Sequence, residues 1–473
     1  MDHENVREVI ARIWAGEVIA SLSGFITIPA LSPSFDADWR ATGHLRAAVE
    51  HVASWARSRG IAARCEVEEL PGRSPVLLID VPSTAGSAGR GTTLLYGHLD
   101  KQPAFGEWSA GLGPWTPVLR DGRLYGRGSA DDGYSGYAAL TALEAVRAAG
   151  GEHARAVILL ETGEESGSPD LPAYLEHLAD HLGDVNLVVC LDAGGGPDYE
   201  RLWLTASLRG AVMATVTVRV LEAGVHAGFA GGIVPSSFRV IRQLLERLED
   251  SATGAIRLPE MNVPIPERRR ADAGAFVALD PGAVGRGIPF VPGMSATSPD
   301  LTELVLNNTW RPSLSVTGAD GLPASRVAPV VLRPATSLRL SLRTPPTVDP
   351  AVAMAALEKA LTTDVPYSAQ VEVGDFVLMD GWSAPEPSPW LASALDELTG
   401  TVFSEPYRRV GVGGSIPFMH MLGGRYADAD FVATGALGSD SNMHVPDEWL
   451  NVEYAERVTA AVACVLNAHA TRS

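Results

Sequence analysis

The residues that could do chemistry fall in clusters, and most of them follow short apolar runs. Gly97-His98-Leu99-Asp100 sets an imidazole two residues before a carboxylate, a spacing in which the acid can orient a metal-bound histidine. Asp131 and Asp132 end the glycine-rich stretch GRGSADD, Glu164 and Glu165 stand side by side in TGEESGS, and Asp192 precedes Ala193 and three glycines. His444 lies in the glycine-rich segment GALGSDSNMHVP, residues 435–446. Two imidazoles and several carboxylates without a thiolate make the nitrogen and oxygen set that zinc, manganese or cobalt take in hydrolytic sites. One carboxylate shared between two terminal sets would suit two neighbouring ions, which together acidify a water and polarise a carbonyl. A carboxylate left unligated beside them can take the water's proton, so the Glu164 and Glu165 doublet offers a base and a ligand together. Each cluster alone has a commoner explanation: a surface histidine, a helix-capping aspartate, a solvated acidic turn. Their combination is what points to a metal centre.

The elements that must position these groups can be read from periodicity. Apolar residues recur at helical spacing over 4–22, 39–58 and 134–149, while 76–81, 92–96, 156–160 and 187–191 are short apolar runs bounded by Gly, Pro, Ser or charge, as buried strands are. A helix is predicted over 171–181. Alternation of strand and helix predicts an α/β fold with a largely parallel sheet sandwiched by helices, and the acidic clusters then stand at the C-terminal ends of strands, where such sheets bind ligands. Near 210 the pattern changes: strands over 212–220 and 337–343 and helices over 235–248 and 350–361 flank a Pro/Gly-rich stretch, 259–334, with few periodic segments. Beyond 387 the α/β pattern resumes with a helix over 390–398, a strand over 431–434 and a last helix over 452–468. The simplest organisation is a discontinuous catalytic domain, 1–209 and 386–473, interrupted by an inserted α+β domain, 210–385.

Composition narrows the function. The 473 residues carry 56 Asp+Glu against 37 Lys+Arg, a net charge of −19 that disfavours nucleic acid as a partner. The acid is concentrated outside 210–385, where a cation site would use it. No run of 18 apolar residues occurs and residues 1–20 are interrupted by charge, so no membrane segment or secretory signal is expected and a cytoplasmic location is. Cys65, Cys190 and Cys464 have no CxxC spacing and read as small buried apolar groups. No cluster of cationic residues or phosphate-cradling loop accompanies the acidic set, which disfavours a phosphoesterase.

The order and spacing of GRGSADD, TGEESGS, LDAGG, GVHAGFAGG, LSLR, GGSIP and SDSNMH resemble the dinuclear zinc exopeptidase family of carnosinase-like dipeptidases, aminoacylases, desuccinylases and glutamate carboxypeptidases, the carnosinase-like branch above all. The resemblance implies that His98 and Asp192 hold one ion, Glu165 and His444 the other, and that Asp131 bridges them, with zinc first and manganese or cobalt as alternatives. It further implies that Glu164 is the general base and acid and that Asp100 orients His98. The insert becomes a lid and dimerisation domain whose His226 reaches a partner's site in a homodimer and stabilises the oxyanion. Arg343 would grip the substrate's carboxylate, and Gly414 and Ser415 would lie in the substrate-binding loop. A dipeptidase is the function so implied; an N-acyl amino acid deacylase, or a catalytically silent relative that binds metal or peptide, are the alternatives. Gly133 and Tyr134 stand where many relatives have Lys, Val412 where dipeptidases often carry an acid, and the segment around Arg326 lacks a substrate-facing Asn or Thr. The substrate shell is therefore expected to be altered, with Tyr134 adding an aromatic near the cleft.

Overall fold

The computed structural model describes residues 1–438 and 440–472; Ser439 of the SDSNMH motif lies outside the described residues. Its central sheet has six strands in the order Arg64–Glu68, Val76–Val81, Arg155–Glu161, Thr92–His98, Val185–Cys190 and Asp430–Ala433. The last four run parallel, and the first two are antiparallel additions at one edge. Successive side chains of a strand point to opposite faces, so each strand feeds two cores. Leu95, Ile158, Leu160 and Val189 pack with the N-terminal, 44–58, 135–148 and C-terminal helices. Leu94, Val157, Leu159 and Val188 pack with Leu171, Tyr174, Phe418 and Leu422 from helices on the other face. Helices thus cover both faces, as strands with no polar side would require.

The helical stretch His3–Ile26 is long and apolar enough to cross a membrane by length and composition alone, a property its interrupting charges conceal in the sequence. Its apolar stripe, Val6, Ile10, Ile13, Val18, Leu22 and Phe25, is instead buried inside the protein. Its C-terminal carbonyls are bonded by a buried lysine: Lys101 Nζ donates to Phe25 and Ile28 at 2.8 Å and to Ile26 at 3.3 Å. These carbonyls satisfy the amine's donors, while burial holds its proton affinity well below the ordinary lysine value.

The second architectural unit is an antiparallel sheet ordered Ser313–Asp320, Ala335–Thr344, Gly210–Arg219, Gln370–Met379. Val212, Val216 and Val218 on one face pack against Val240, Ile241 and Leu244 of helix Ser237–Leu248 and Leu357 and Leu361 of helix Pro350–Thr362. The chain leaves the first unit and returns to it side by side, since Leu208 pairs with both Trp382 and Val412. The architecture is therefore an α/β fold carrying an inserted α+β unit.

The stretch 259–334 is more regular than its composition predicts. It contains helices Glu267–Leu279 and Leu301–Thr309 and strand Ser313–Asp320. The first helix has no apolar stripe to betray it, because its buried contacts come from Ala273 and from Arg269, whose guanidinium donates to Ala384 O at 3.1 Å. The strand is a bulged edge strand with little burial, so it lacks alternation. Strand Arg408–Val412 and helix Pro417–Arg425 were likewise not signalled by periodicity.

Candidate active site

All four parallel strands deliver their C-terminal ends to one edge, and the charged clusters follow those ends. His98 is the last residue of its strand; Glu164 and Glu165 form a short turn after Arg155–Glu161; Asp192 follows Val185–Cys190; His444 lies on the loop after Asp430–Ala433. Gly97 lets the central strand approach the Asp132 loop, since a Cβ there would meet Ser135 Oγ at 2.2 Å and Asp132 Oδ2 at 2.5 Å.

Asp131 sits between the two imidazoles and turns one oxygen to each. Its Oδ1 lies 3.1 Å from His98 Nε2, and its Oδ2 lies 2.8 Å from His444 Nε2. Asp192 Oδ2 is 3.8 Å from His98 Nε2, and Glu165 Oε2 is 3.2 Å from His444 Nε2. Residues separated by more than 300 positions thus converge within a few ångströms. His98 Nδ1 donates to the backbone oxygen of Asp100 at 3.0 Å, with the Asp100 carboxylate at 3.4 Å. The same carboxylate accepts from the backbone N–H groups of Glu164 at 3.2 Å and Glu165 at 3.0 Å. Asp100 therefore fixes both the imidazole and the glutamate turn, a wider role than orientation of the histidine.

The electrostatics favour positive charge. Burial alone would depress both imidazoles, but hydrogen bonds to Asp100 and Asp131 hold His98 well above its ordinary value, and bonds to Asp131 and Glu165 push His444 up to about 11. Burial would raise Asp131, yet the bonds from His444 and His98 hold it below the usual carboxylate range. Burial, aided by the charge of Asp131, pushes Asp192 up to about 7, and burial with the charge of Asp192 raises Glu164 well above a normal glutamate. Buried oxygens Asp132 Oδ1 and Glu165 Oε1 have no hydrogen-bond donor among the described residues. Orphaned carboxylate oxygens beside two imidazoles fit a divalent cation of the zinc, manganese or cobalt kind. Two sets of ligand atoms lie within 4.8 Å of one another: His98, Asp131 and Glu165, and His98, Asp132 and Asp192. In the second set Asp132 Oδ2 already accepts from the His98 backbone N–H at 3.2 Å.

Asp131, Glu164, Glu165, Asp192 and His444 line a cavity of about 640 Å³ together with Gln102, Thr205, Val412, Gly414, Ser415 and Met443. Arg343 stands behind this wall, its Nη1 donating to Ser415 Oγ at 3.2 Å, while Ser415 donates to Arg209 O at 2.5 Å. His226 is not brought to the cavity of its own chain; it is exposed on the insert, where its Nδ1 accepts from Gly228 N–H at 3.2 Å. Tyr134 corrects an expectation: its ring is fully buried and its hydroxyl bridges Leu191 O at 2.6 Å and Ala436 N at 2.8 Å. It is a strut joining two site loops and adds no aromatic surface to the cleft.

Several supporting residues carry no motif that sequence reading would select. Glu448 is fully buried; its Oε1 accepts from the backbone N–H groups of Gly128, Ala130 and Asp131 at 3.0, 3.2 and 3.3 Å, and its Oε2 from Arg127 at 2.6 Å. Arg127 also donates to Val445 O at 3.2 Å, so this ion pair ties the Asp131 loop to the His444 loop. Arg209 donates to Gly413 O at 3.1 Å and to Ser313 Oγ at 3.1 Å, propping the Ser415 loop on the insert. The one available signal was position, four residues after His444 for Glu448.

The profile of peptidase family M20/M25/M40 matches residues 94–468. A cysteinylglycine-S-conjugate dipeptidase of Corynebacterium striatum is 27% identical over 387 residues, 82% of each chain. A Beta-Ala-His dipeptidase of Mus musculus is 29% identical over 301 residues, 61% of this chain and 57% of that one. Among solved structures, the dipeptidase Dug1p of Saccharomyces cerevisiae superposes with a TM-score of 0.76 at 22% identity over 99% of both chains. A metallo-carboxypeptidase of Sulfolobus solfataricus gives 0.78 at 18% identity over 96% of this chain and 99% of that one, and at such identities the likeness is one of fold.

Proposed function

The chain belongs to peptidase family M20/M25/M40, a metallopeptidase and amidohydrolase family, and we propose that within it this protein is a dipeptidase whose centre is the cluster around Asp131. Asp131 would bridge two divalent cations, His98 and Asp192 completing one ligand set and Glu165 and His444 the other; zinc is the first expectation, with manganese or cobalt as alternatives. Such ions supply an acidified water and a polarised carbonyl. Glu164 takes the proton of the attacking water and returns it to the leaving amine, work suited to a buried carboxyl whose proton affinity is raised. Asp100 keeps His98 and the glutamate turn in register. Arg343, Ser415 and Gly414 hold the substrate, the planar guanidinium suiting a carboxylate. His226 acts in the partner's site of a homodimer, the segments 1–209 and 386–473 forming the catalytic domain and 210–385 the lid and dimerisation domain. The cytoplasm is the proposed location.

The observation that carries this reading is the convergence of Asp131, Glu165, Asp192 and His444 with Glu164 on one cavity, with the buried His98 Nε2 within 3.1 Å of Asp131 and 3.8 Å of Asp192. The test is metal stripping with a chelator, reloading with zinc, manganese or cobalt, and assay on dipeptides and N-acyl amino acids. Amino-acid release is expected only after reloading, and faster from dipeptides. Glu164→Ala should keep its fold and metal while losing about 10²–10⁴-fold in kcat; full activity in that variant removes the base assignment.

A further inference from the structure

Glu165 has a tether of its own, since Gln102 Nε2 donates to its Oε2 at 2.7 Å. The Glu164 carboxyl has no hydrogen-bond partner among the described residues, so its place depends on the turn that carries it. That turn is held on one side by Asp100, whose carboxylate accepts from the Glu164 and Glu165 N–H groups. On the other side it meets the N-terminal part of the chain. Ser166 Oγ lies 2.6 Å from Ser32 Oγ, sharing a hydrogen bond, and accepts from the Ser34 N–H at 2.9 Å. Ser32 is fully buried, and its N–H donates to Lys101 O at 3.1 Å. Lys101 Nζ in turn bonds the carbonyls of Phe25, Ile26 and Ile28. Residues 25–34 are thus fastened at one point to the residue after Asp100 and at another to the residue after Glu165. They also pack on the Asp131 loop, where Phe25 and Ile26 leave no room for a Cβ at Gly133 or Gly126. The loops of Asp100, Asp131 and Glu164 share this one support, although none of its residues lines the cavity.

We propose that residues 25–34 brace the general base, with Ser32 and Ser166 as positioning residues; the inference rests on Glu164 being that base. A carboxyl that passes a proton from water to a leaving amine must stay in reach of both, and a displacement of about 1 Å can cost about 10²-fold in rate. Two N–H bonds to one carboxylate fix one side of the turn and leave it free to tilt about that side. The serine contact closes the other side. Its bonds are partly buried, where a polar group that loses its partner is costly. Neither hydroxyl touches the cavity or a proposed ligand side chain, and Glu165 keeps its bond to Gln102. Loss of the brace therefore acts on the chemical step and spares substrate and metal binding.

The test compares zinc-loaded wild type, Ser166→Ala, Ser32→Ala and the double variant on the dipeptide that the wild type cleaves fastest. Each single variant should lower kcat by about tenfold or more, with KM and bound zinc within about twofold of wild type. The double variant should fall no further than about twofold below the weaker single one, because the two hydroxyls form one contact. Ser166→Thr keeps the hydroxyl and should recover kcat to within about threefold of wild type. Hydrogen exchange of the peptide spanning 161–168, followed by mass spectrometry, should be faster by about tenfold in Ser166→Ala. If the fully buried Ser32 does not tolerate alanine, Ser166→Ala with its threonine control carries the test. An unchanged kcat overturns the inference, and so does a fall in kcat with unchanged exchange. Where the wild type cleaves no dipeptide, exchange alone decides: faster exchange keeps the brace while the dipeptidase reading fails, and unchanged exchange removes both.

Discussion

His98 and His469 are both fully buried, and they meet opposite ends of the same parallel sheet. His469 lies under the N-terminal ends, where its Nε2 donates to Asn186 Oδ1 at 2.7 Å and its Nδ1 accepts from Thr93 Oγ1 at 3.3 Å. Its neighbours are neutral or cationic, so burial, with Arg472 and Arg90 adding to it, pushes it down to about 3. His98, at the C-terminal ends, is surrounded by carboxylates and is held well above its ordinary value although burial opposes this. Equal burial therefore gives a neutral structural imidazole at one end and a cation-seeking one at the other. The difference lies in satisfaction: the ring nitrogens of His469 both have neutral partners, whereas the acidic end retains carboxylate oxygens with no donor. Polar groups left unsatisfied inside a protein are stabilised by what they bind.

The most severe way to test this contrast is Asp131→Asn, which removes the charge shared by both imidazoles. Hydrolysis should fall by about 10³-fold or more and the stoichiometry of bound metal should drop, read by elemental analysis; retention of both ions at wild-type affinity would remove Asp131 from the bridging role. Next in size is Glu448→Gln, which weakens the clamp on the Asp131 loop while leaving every ligand side chain in place. Metal affinity should fall by about 10–100-fold, measured by competition with a chelating dye, as expected for a group that orients a ligand. His469→Gln probes the other end. A cost of about 1–3 kcal/mol in urea unfolding is expected from the broken buried hydrogen bonds, with kcat/KM within about twofold of wild type. Loss of activity beyond tenfold would show that the two ends are not separable. The smallest effect is in pH. His469 stays neutral in the native state down to about 3 but titrates near its ordinary value of about 6.5 when unfolded. Between those values the unfolded chain binds the extra proton, so this residue's contribution is full above about 6.5 and is lost as pH falls toward 3. His469→Gln should flatten that part of the stability curve, read as urea midpoints; an unchanged slope would place the titration elsewhere.

Which residues converge was legible because the charged clusters sit directly after buried apolar runs, and parallel strands bring their C-terminal ends to one edge. The strands around His98, Glu161 and Asp192 were readable for that reason, as were the long amphipathic helices. Helix Glu267–Leu279 and strand Ser313–Asp320 were not, since one buries an arginine and the other is an exposed edge. Tyr134 was misread because Asp131, three residues before it, lines the cavity while its own ring turns into the core.

The amino-acid sequence by itself determined the ligand chemistry, nitrogen and carboxylate oxygen without thiolate, and the alternation that forces an α/β sheet. Only the tertiary structure decided that Asp131 offers one oxygen to each imidazole, that Asp100 holds the glutamate turn as well as His98, and that Glu448 and Arg127 brace the two loops. Local patterning reports which face of an element is buried, but contacts between residues hundreds of positions apart depend on loop paths and packing that have no local signature.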